Sequence, residues 1–524
     1  MLRERPAEYK PLSFSTTMRN PSRIAEFLTC ILPYEGQILT NDIIHNVATT
    51  LIKRKLYQPM YITRNPRLKN ILNDEREFTE QEAAEIMQNS PQNHKEAGFD
   101  KGWPSRFDTW YKLSMEFGFI YYQMNDPIVI STTGHMLIDA LNENPVNDEK
   151  IKNVFLNSLM KYQTNNPFRK NANANSPLIL LLQVIKLLKD DPDENDAGIF
   201  RKELSLIICW PNGDAYALYL KIKELRRKYH FTYGDEIIYE ICLNLLGATD
   251  EQRNRFKINQ ITGEAVDEFI RKMRITGIIS LRGNGRFIDF NSFESEKINY
   301  ILNNYKDYKI YTTKESFFEY IGVIDTNILS LTQHIDEAAV SDVRIATLNN
   351  WAKEYSKEDI INELNIVCSN GESRNTVLRI IDKPTRLEFL TSIALKQHFN
   401  ELNIQPNYHV DDEGLPTFTA SGGVADIECY DISCNSLVEV TLMCARNQAI
   451  NEMPAITRHL QEAIGQNPGK TIFSMLVAPS IHDDTKYMAA FSKYQYGVDI
   501  ITFTVKEFIE QINEKKQIIE MLLA

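Results

Sequence analysis

Two kinds of hydrophobic spacing divide this chain. From residue 40 to about 370 apolar positions recur mainly at helical intervals, whereas the last 150 residues alternate short apolar runs with helical stretches. In TNDIIHNVATTLIKRKL (40–56), Thr40 and Asn41 are helix caps, and Ile43, Ile44, Val47, Leu51 and Ile52 follow at helical spacing before Lys53-Arg54-Lys55. In DKGWPSRFDTWYKLSMEFGFIYYQMNDPIVISTTGHMLIDAL (100–141), Trp110, Leu113, Phe117 and Phe119 mark an amphipathic helix running out at Gly118. FIYYQ and IVIST then read as strands around Met124-Asn125-Asp126-Pro127, and a helix returns after Gly134. The shape recurs at TGEAVDEFIRKMRITGIISLRGNGRFIDFN (262–291), where a helix ends at Gly277 and strands IISL and RFIDF flank a turn containing Asn284-Gly285, a strong hairpin signal. A helix followed by a hairpin is the profile of a winged helix, whose helix can enter a DNA groove. The pattern equally suits a winged helix used for protein contacts, or a plain small α+β unit.

Residues 150–245 read as helical. NNPFRKNANANSP (165–177) is a polar connector, and the hydrophobic helix LILLLQVIKLLK follows it. Residues 292–370, rich in Asn, Lys, Glu and Tyr, keep helical periodicity and predict a helical linker. Beyond them the spacing predicts a helix over 385–400, strands near 416–420, 424–430 and 437–443, a helix at 454–465 and a strand at 471–478. A helix near 484–493, a strand at 498–504 and a last helix follow. That is an α/β domain with a mixed sheet and helices on its faces.

A length of 524 residues predicts several domains, and 43% hydrophobic with 24% charged residues is ordinary for a soluble globular protein. No apolar run approaches the roughly 18–20 residues needed to span a bilayer, and MLRERPAEYK lacks the apolar core of a signal peptide. The seven scattered cysteines form no Cys-x-x-Cys pair, which argues against a disulfide framework or a thiolate zinc site and for a reduced, cytoplasmic protein. The net charge of -12 is unevenly spread: residues 1–70 carry 11 Lys/Arg against 5 acids. An acidic body with a basic N-terminal region suits a protein that grips phosphates at one end, and also an ordinary solvated basic face.

Chemistry gathers in GGVADIECYDISCNSLVEVTL (422–442). Alternation puts Val424, Asp426 and Glu428 on one face of a strand, and Leu437, Glu439, Thr441 and Met443 on one face of the next, with Cys434-Asn435-Ser436 as the turn. Paired antiparallel, these strands bring Asp426 and Glu439 together, where two carboxylates repel unless one is protonated or a cation lies between them. Hard oxygen ligands beside a partly open face suit Mg²⁺, which takes one or two carboxylates and keeps several waters. Such an ion activates water and neutralises charge on a phosphodiester. Two acids on a solvated strand edge fit the same pattern. Glu388 heads the helix TRLEFLTSIALKQHF, where Thr385 to Glu388 also reads as a capping box. Glu452 precedes Pro454 at a helix start, where an acid also suits the helix dipole. Helix Glu, strand Asp, strand Glu-Val-Thr and a following Glu together resemble the PD-(D/E)XK nuclease core, with Thr441 where a strict version has lysine.

Several longer stretches carry a broader resemblance. KPLSFSTTMRNPSRI (10–24), WPSRFDTWYKLSMEFGFI (103–120), RLEFLTSIAL (386–395), GGVADIECYD (422–431) and VEVTL (438–442), in this order, resemble the AlwI-type family of type IIS restriction endonucleases, including its nicking relatives. The resemblance implies a multidomain α/β and α+β protein: winged-helix-like DNA-recognition subdomains at 1–148 and 149–292, a helical linker at 293–370, and a PD-(D/E)XK cleavage domain with a mixed sheet at 371–524. It implies Asp426 and Glu439 as metal-binding acids, the Val440 carbonyl as a backbone ligand, Glu388 and Glu452 as further active-site acids, and Thr441 as a variation on the lysine position. The implied activity is Mg²⁺-dependent hydrolysis of double-stranded DNA outside a short asymmetric site. Cutting both strands then needs a transient homodimer or a smaller catalytic subunit, and a chain acting alone is a nickase. A winged-helix DNA-binding regulator with structural acids, and a transposase or repair nuclease on the same core, are the alternatives.

Arg and Asn suit bidentate reading of guanine and adenine, so Arg19, Asn20 and Arg23, then Arg106, are the candidates for DNA recognition. Lys53, Arg54 and Lys55 are candidates for phosphate contact, which positions without specifying. AIGQNPGKT (463–471) is not a P-loop: only three residues separate Gly465 from Gly469, and helix precedes strand. No nucleotide or membrane partner is expected. His459 and His482 stand apart from any cluster and read as structural or phosphate-facing.

Overall fold

The structure, a computed structural model, describes residues 7–14, 23–72, 76–143, 146–194, 198–249, 253, 255–331, 337–369, 371–444, 446 and 448–523. Its contacts divide the chain into two units. The first comprises Met1–Tyr57, Ala83–Glu143 and Asn147–His334, and the second Gln58–Glu82, Asn144–Val146 and Ile335–Ala524.

The first unit is mainly helical. Its helix Trp103–Glu116 starts with Pro104, whose missing N–H costs nothing in a first turn, and buries Phe107, Trp110, Tyr111 and Leu113. Gly118 follows with φ +76; a Cβ there would lie 2.3 Å from Ile321 and 2.9 Å from the Gly322 nitrogen, so only glycine admits this approach. Strands β1 (Ile120–Tyr121) and β2 (Val129–Ile130) pair antiparallel, and Ser131 caps the helix Thr132–Asn142 by accepting from the Gly134 amide at 3.0 Å. The second hairpin follows the helix Ala265–Arg274. Strands β3 (Ile199–Phe200), β4 (Ile279–Arg282) and β5 (Phe287–Phe290) form a sheet of order β3-β5-β4. Gly283, Asn284 and Gly285 all take positive φ in the β4–β5 turn, the conformation for which Asn-Gly is favoured. β3 is only two residues long, too short to leave a period-2 signal.

The stretch 165–177 differs from the polar connector expected. Asn166, Asn171, Asn173 and Asn175 are buried, because their amides satisfy backbone groups: Asn173 and Asn175 both donate to the Trp210 carbonyl, at 3.1 and 2.8 Å, and Asn171 donates to that of Thr164. Arg169 grips the fully buried Glu116 through Nε and Nη2. Asparagine composition reads as solvent-loving, yet a side chain whose amide pairs a buried backbone carbonyl can itself be buried. The stretch 293–370 is helical and divides between the units. Ser295–Asn304, Lys314–Ile321 and Thr326–Ser330 fall in the first, and Glu337–Glu354 and Lys357–Val367 in the second.

The second unit is built on a mixed five-stranded sheet. Strands β6 (Asn403–Pro406), β9 (Ile427–Tyr430), β10 (Cys434–Val440), β11 (Thr471–Ala478) and β12 (Ile500–Thr504) lie in the order β12-β11-β10-β9-β6, while β7 (Tyr408–Val410) and β8 (Pro416–Ala420) pair separately. β10 is central, parallel to β11 and antiparallel to β9, with Leu437 opposite Glu428 and Val438 opposite Ile427. Leu437, Ile472 and Leu476 pack against Met453, Ile456 and Leu460 of the helix Met453–Gln466 and Ala489 of the helix Asp483–Tyr496. The helix Lys383–His398 contacts β10, and the helix Val505–Glu514 contacts β11. Helices on both faces explain why Cys434 to Glu439 is buried throughout instead of alternating. The β9–β10 turn falls at 431–433, earlier than the expected 434–436. The Asp431 amide donates to the Cys434 carbonyl at 2.9 Å, and its Oδ1 accepts from the Ile432 amide at 2.8 Å, an aspartate-directed turn.

Candidate active site

Continuing the β9–β10 register one step past Ile427 and Val438 sets Asp426 opposite Glu439. The two acids bond across this open end of the hairpin. The Asp426 amide donates to Glu439 Oε2 at 3.3 Å, and Asp426 Oδ2 accepts from the Val440 amide at 2.7 Å. Glu439, 8% exposed, also meets His459 of the helix Met453–Gln466, with Oε1 3.0 Å from Nδ1. Glu388 is buried in the second turn of the helix Lys383–His398. That helix begins with Asp382 as cap, so Thr385 and Glu388 form no capping box; Glu388 Oε2 instead accepts from the Ala420 amide at 3.0 Å. Glu452 stands at the junction of a π-helical turn, Gln448–Glu452, and the helix Met453–Gln466, where the nearby Thr441 side chain favours its charged form. Thr441, 8% exposed, accepts through its hydroxyl oxygen from the Met443 amide at 3.0 Å.

These placements gather Glu388, Asp426, Glu439 and Glu452 around the end of β10. Burial, reinforced by Glu388 and Glu439, holds the Asp426 carboxyl well above the ordinary range, and the Val440 amide only partly offsets this. Burial likewise raises Glu452, opposed by the Thr441 hydroxyl and reinforced by Glu439. Among the described residues, no three His, Cys, Asp or Glu side chains converge closely enough to hold a metal ion on their own. The reason is visible in the bonding: Glu388, Asp426 and Glu439 each turn an oxygen toward a backbone amide. The donor set still suits a small hard cation. Asp426 Oδ1 accepts no hydrogen bond from the described residues, and two carboxylates beside a backbone carbonyl match the few protein oxygens Mg²⁺ takes.

His459, read from the sequence as standing apart from any cluster, lies against Glu439 instead. Its signal was its place seven residues beyond Glu452, two turns along one helix and so on the same side of it. Its Nε2 is buried without a hydrogen-bond partner among the described residues.

In the first unit the turn after the helix Asn41–Lys53 collects most of the basic candidates. Arg23 donates to the Leu56 carbonyl at 3.1 Å, and Arg54 donates to Thr29 Oγ1 at 3.2 Å. Lys53 ends that helix and Lys55 has φ 59. Arg106 lies 5.0 Å from the ring centre of Tyr57 and 5.7 Å from that of Trp110, and donates to His94 Nε2 at 3.0 Å. Arg19 and Asn20 lie outside the described residues.

Among curated proteins none matches the chain. Of solved structures, the small subunit of the heterodimeric restriction endonuclease R.BspD6I is 24% identical, covering 32% of this chain and 87% of its own, with a TM-score of 0.26. Restriction endonuclease FokI is 12% identical over 99% of this chain and 97% of its own, with a TM-score of 0.25. FokI bound to DNA is 13% identical, over 100% and 98%, again with a TM-score of 0.25. At such TM-scores these likenesses carry no weight. The model of the AlwI restriction endonuclease family, however, matches residues 115–325 and 320–511, which take in both hairpins and all four clustered acids. The chain belongs to the AlwI restriction endonuclease family and is thereby placed among site-specific DNA endonucleases.

Proposed function

We propose that the protein is a Mg²⁺-dependent type IIS endonuclease whose second unit, a PD-(D/E)XK cleavage domain, hydrolyses DNA at a fixed distance from a short asymmetric site bound by winged-helix-like parts of the first. The observation that carries this reading is the cross-bonded Asp426–Glu439 pair with Glu388 and Glu452 beside it. Asp426, Glu439 and the Val440 carbonyl would hold the ion, which supplies a Lewis acid for the phosphodiester and its attacking water. The rest is done by the chain. The backbone bonds of Asp426 and His459's contact orient the two acids. Thr441 carries no charge in the lysine position and only partly offsets the burial that raises the Glu452 carboxyl, and a raised carboxyl is fitted to accept a proton from water. In the first unit, Arg23, Lys53, Arg54, Lys55 and Arg106 contact the DNA, with Arg19 and Asn20 assigned there from sequence.

The described residues hold one such cluster, so one chain cuts one strand. The second strand requires another copy or a smaller subunit, and without either the protein nicks. The test is incubation with supercoiled plasmid in Mg²⁺ beside an EDTA control, with ends mapped by run-off sequencing. Discrete linear products or single-strand nicks at fixed positions, absent in EDTA, support the reading. An intact plasmid that nevertheless carries a bound site overturns it in favour of a DNA-binding regulator.

A further inference from the structure

Between β10, which carries Glu439, and the helix that Glu452 introduces runs a connection in which the amide side chain of Gln448 is fully buried. Its Nε2 donates to the carbonyls of Met443 at 3.2 Å and Ser480 at 3.1 Å. Its Oε1 accepts from the His482 amide at 3.3 Å and from Thr485 Oγ1 at 3.0 Å. Both amide protons and both lone pairs are therefore engaged, the most a glutamine can make. The partners lie on three segments: the strand's exit, the turn after β11 and the first turn of the helix Asp483–Tyr496. Glu carries no donor and Leu carries neither donor nor acceptor, so neither side chain could span them.

We propose that Gln448 is the positioning residue of this nuclease site. It anchors the π-helical turn that ends in Glu452, and through the Met443 carbonyl it also fixes the segment leaving the strand that presents Glu439. π turns are rare and recur at functional sites. The role is indirect: Gln448 sets where two acids stand and touches neither substrate nor ion. The inference rests on the nuclease reading above.

The test compares wild type with Gln448→Met, Thr485→Val and Thr485→Ser. Single-turnover cleavage in Mg²⁺ is measured beside the Kd for a site-bearing duplex and the Tm. Gln448→Met is expected to slow cleavage by about 10–100-fold, the usual effect of losing a group that orients a catalytic shell, while Kd stays within about twofold, since the first unit makes the DNA contacts. Thr485→Val removes one of the four bonds and should slow cleavage in the same sense, whereas Thr485→Ser, which keeps the hydroxyl, should restore the wild-type rate. Wild-type cleavage by Gln448→Met, or a rate lost only in proportion to DNA affinity, overturns the inference. Should Gln448→Met fail to fold, equal rates for the Val and Ser variants overturn it instead. Amide hydrogen exchange over residues 448–453 reads placement without cleavage: faster exchange in Gln448→Met supports the role, and unchanged exchange removes it. A wild-type protein that does not cut in Mg²⁺ sinks the nuclease reading, and the exchange measurement still decides this one.

Discussion

Asp426 and Glu439 hold each other through the backbone: the Asp426 amide donates to Glu439 at 3.3 Å, and the Asp426 carboxylate accepts from the residue after Glu439 at 2.7 Å. Each acid thus fixes the other's strand, which keeps two carboxylates together with no lysine or arginine bonded to Asp426 among the described residues. Replacing either by alanine should abolish a metal contribution worth several kcal/mol of barrier, roughly a 10³-fold loss of cleavage. Gel-shift binding of the same duplex should remain. Normal cutting by the Asp426→Ala, Glu439→Ala double variant would remove both from the site.

The crowding of acids has a thermal consequence. Burial and neighbouring charge raise the Asp426 carboxyl in the folded chain, so the folded state binds that proton more tightly than the unfolded state. The stabilisation is complete below the unfolded value, about 4, and is lost as pH rises through the raised folded value. Asp426→Asn, which keeps the shape without the charge, should therefore melt higher than wild type in EDTA at pH 7–8. Each kcal/mol recovered is about 2–4 °C for a unit of this size. The difference should vanish below about pH 4, and Mg²⁺ should raise the wild-type Tm more than that of the variant. Equal Tm values at all pH would show the carboxylate to be well solvated.

His459 supplies the helix-borne contact to Glu439. Its replacement by alanine frees that carboxylate to turn and should reduce cleavage by about 10–100-fold, measured at saturating DNA so that binding does not enter. A wild-type rate would leave the histidine a packing role only.

The basic turn of the first unit gives a salt test. Every phosphate deprived of its lysine should lower the slope of log K against log salt by about 0.9, so Lys53→Ala with Lys55→Ala should flatten it by nearly two. Arg106→Ala should act differently. It removes a guanidinium stacked on Tyr57 and Trp110, so a fall in Tm reflecting about 1 kcal/mol should accompany any weakening of binding. A Tm unchanged by Arg106→Ala would mean the stack contributes nothing.

Residue order alone determined the two helix–hairpin patterns, the alternating elements of the second unit and the nearness of Asp426 to Glu439. Each follows from a local rule: helical period, strand period, turn chemistry, or a register that a period of two translates into a face. Only the tertiary structure decided which helix lies over which strand. That choice brings His459 to Glu439, seats Gln448 between three segments and turns Glu388 from an apparent cap to the amide of Ala420. It also buries Asn173 and Asn175, in a stretch whose composition reads as solvent-loving, because the distant Trp210 carbonyl accepts from both. Such contacts join residues far apart in the chain, and their partners are set by the packing of whole faces, a property that no short window of sequence contains.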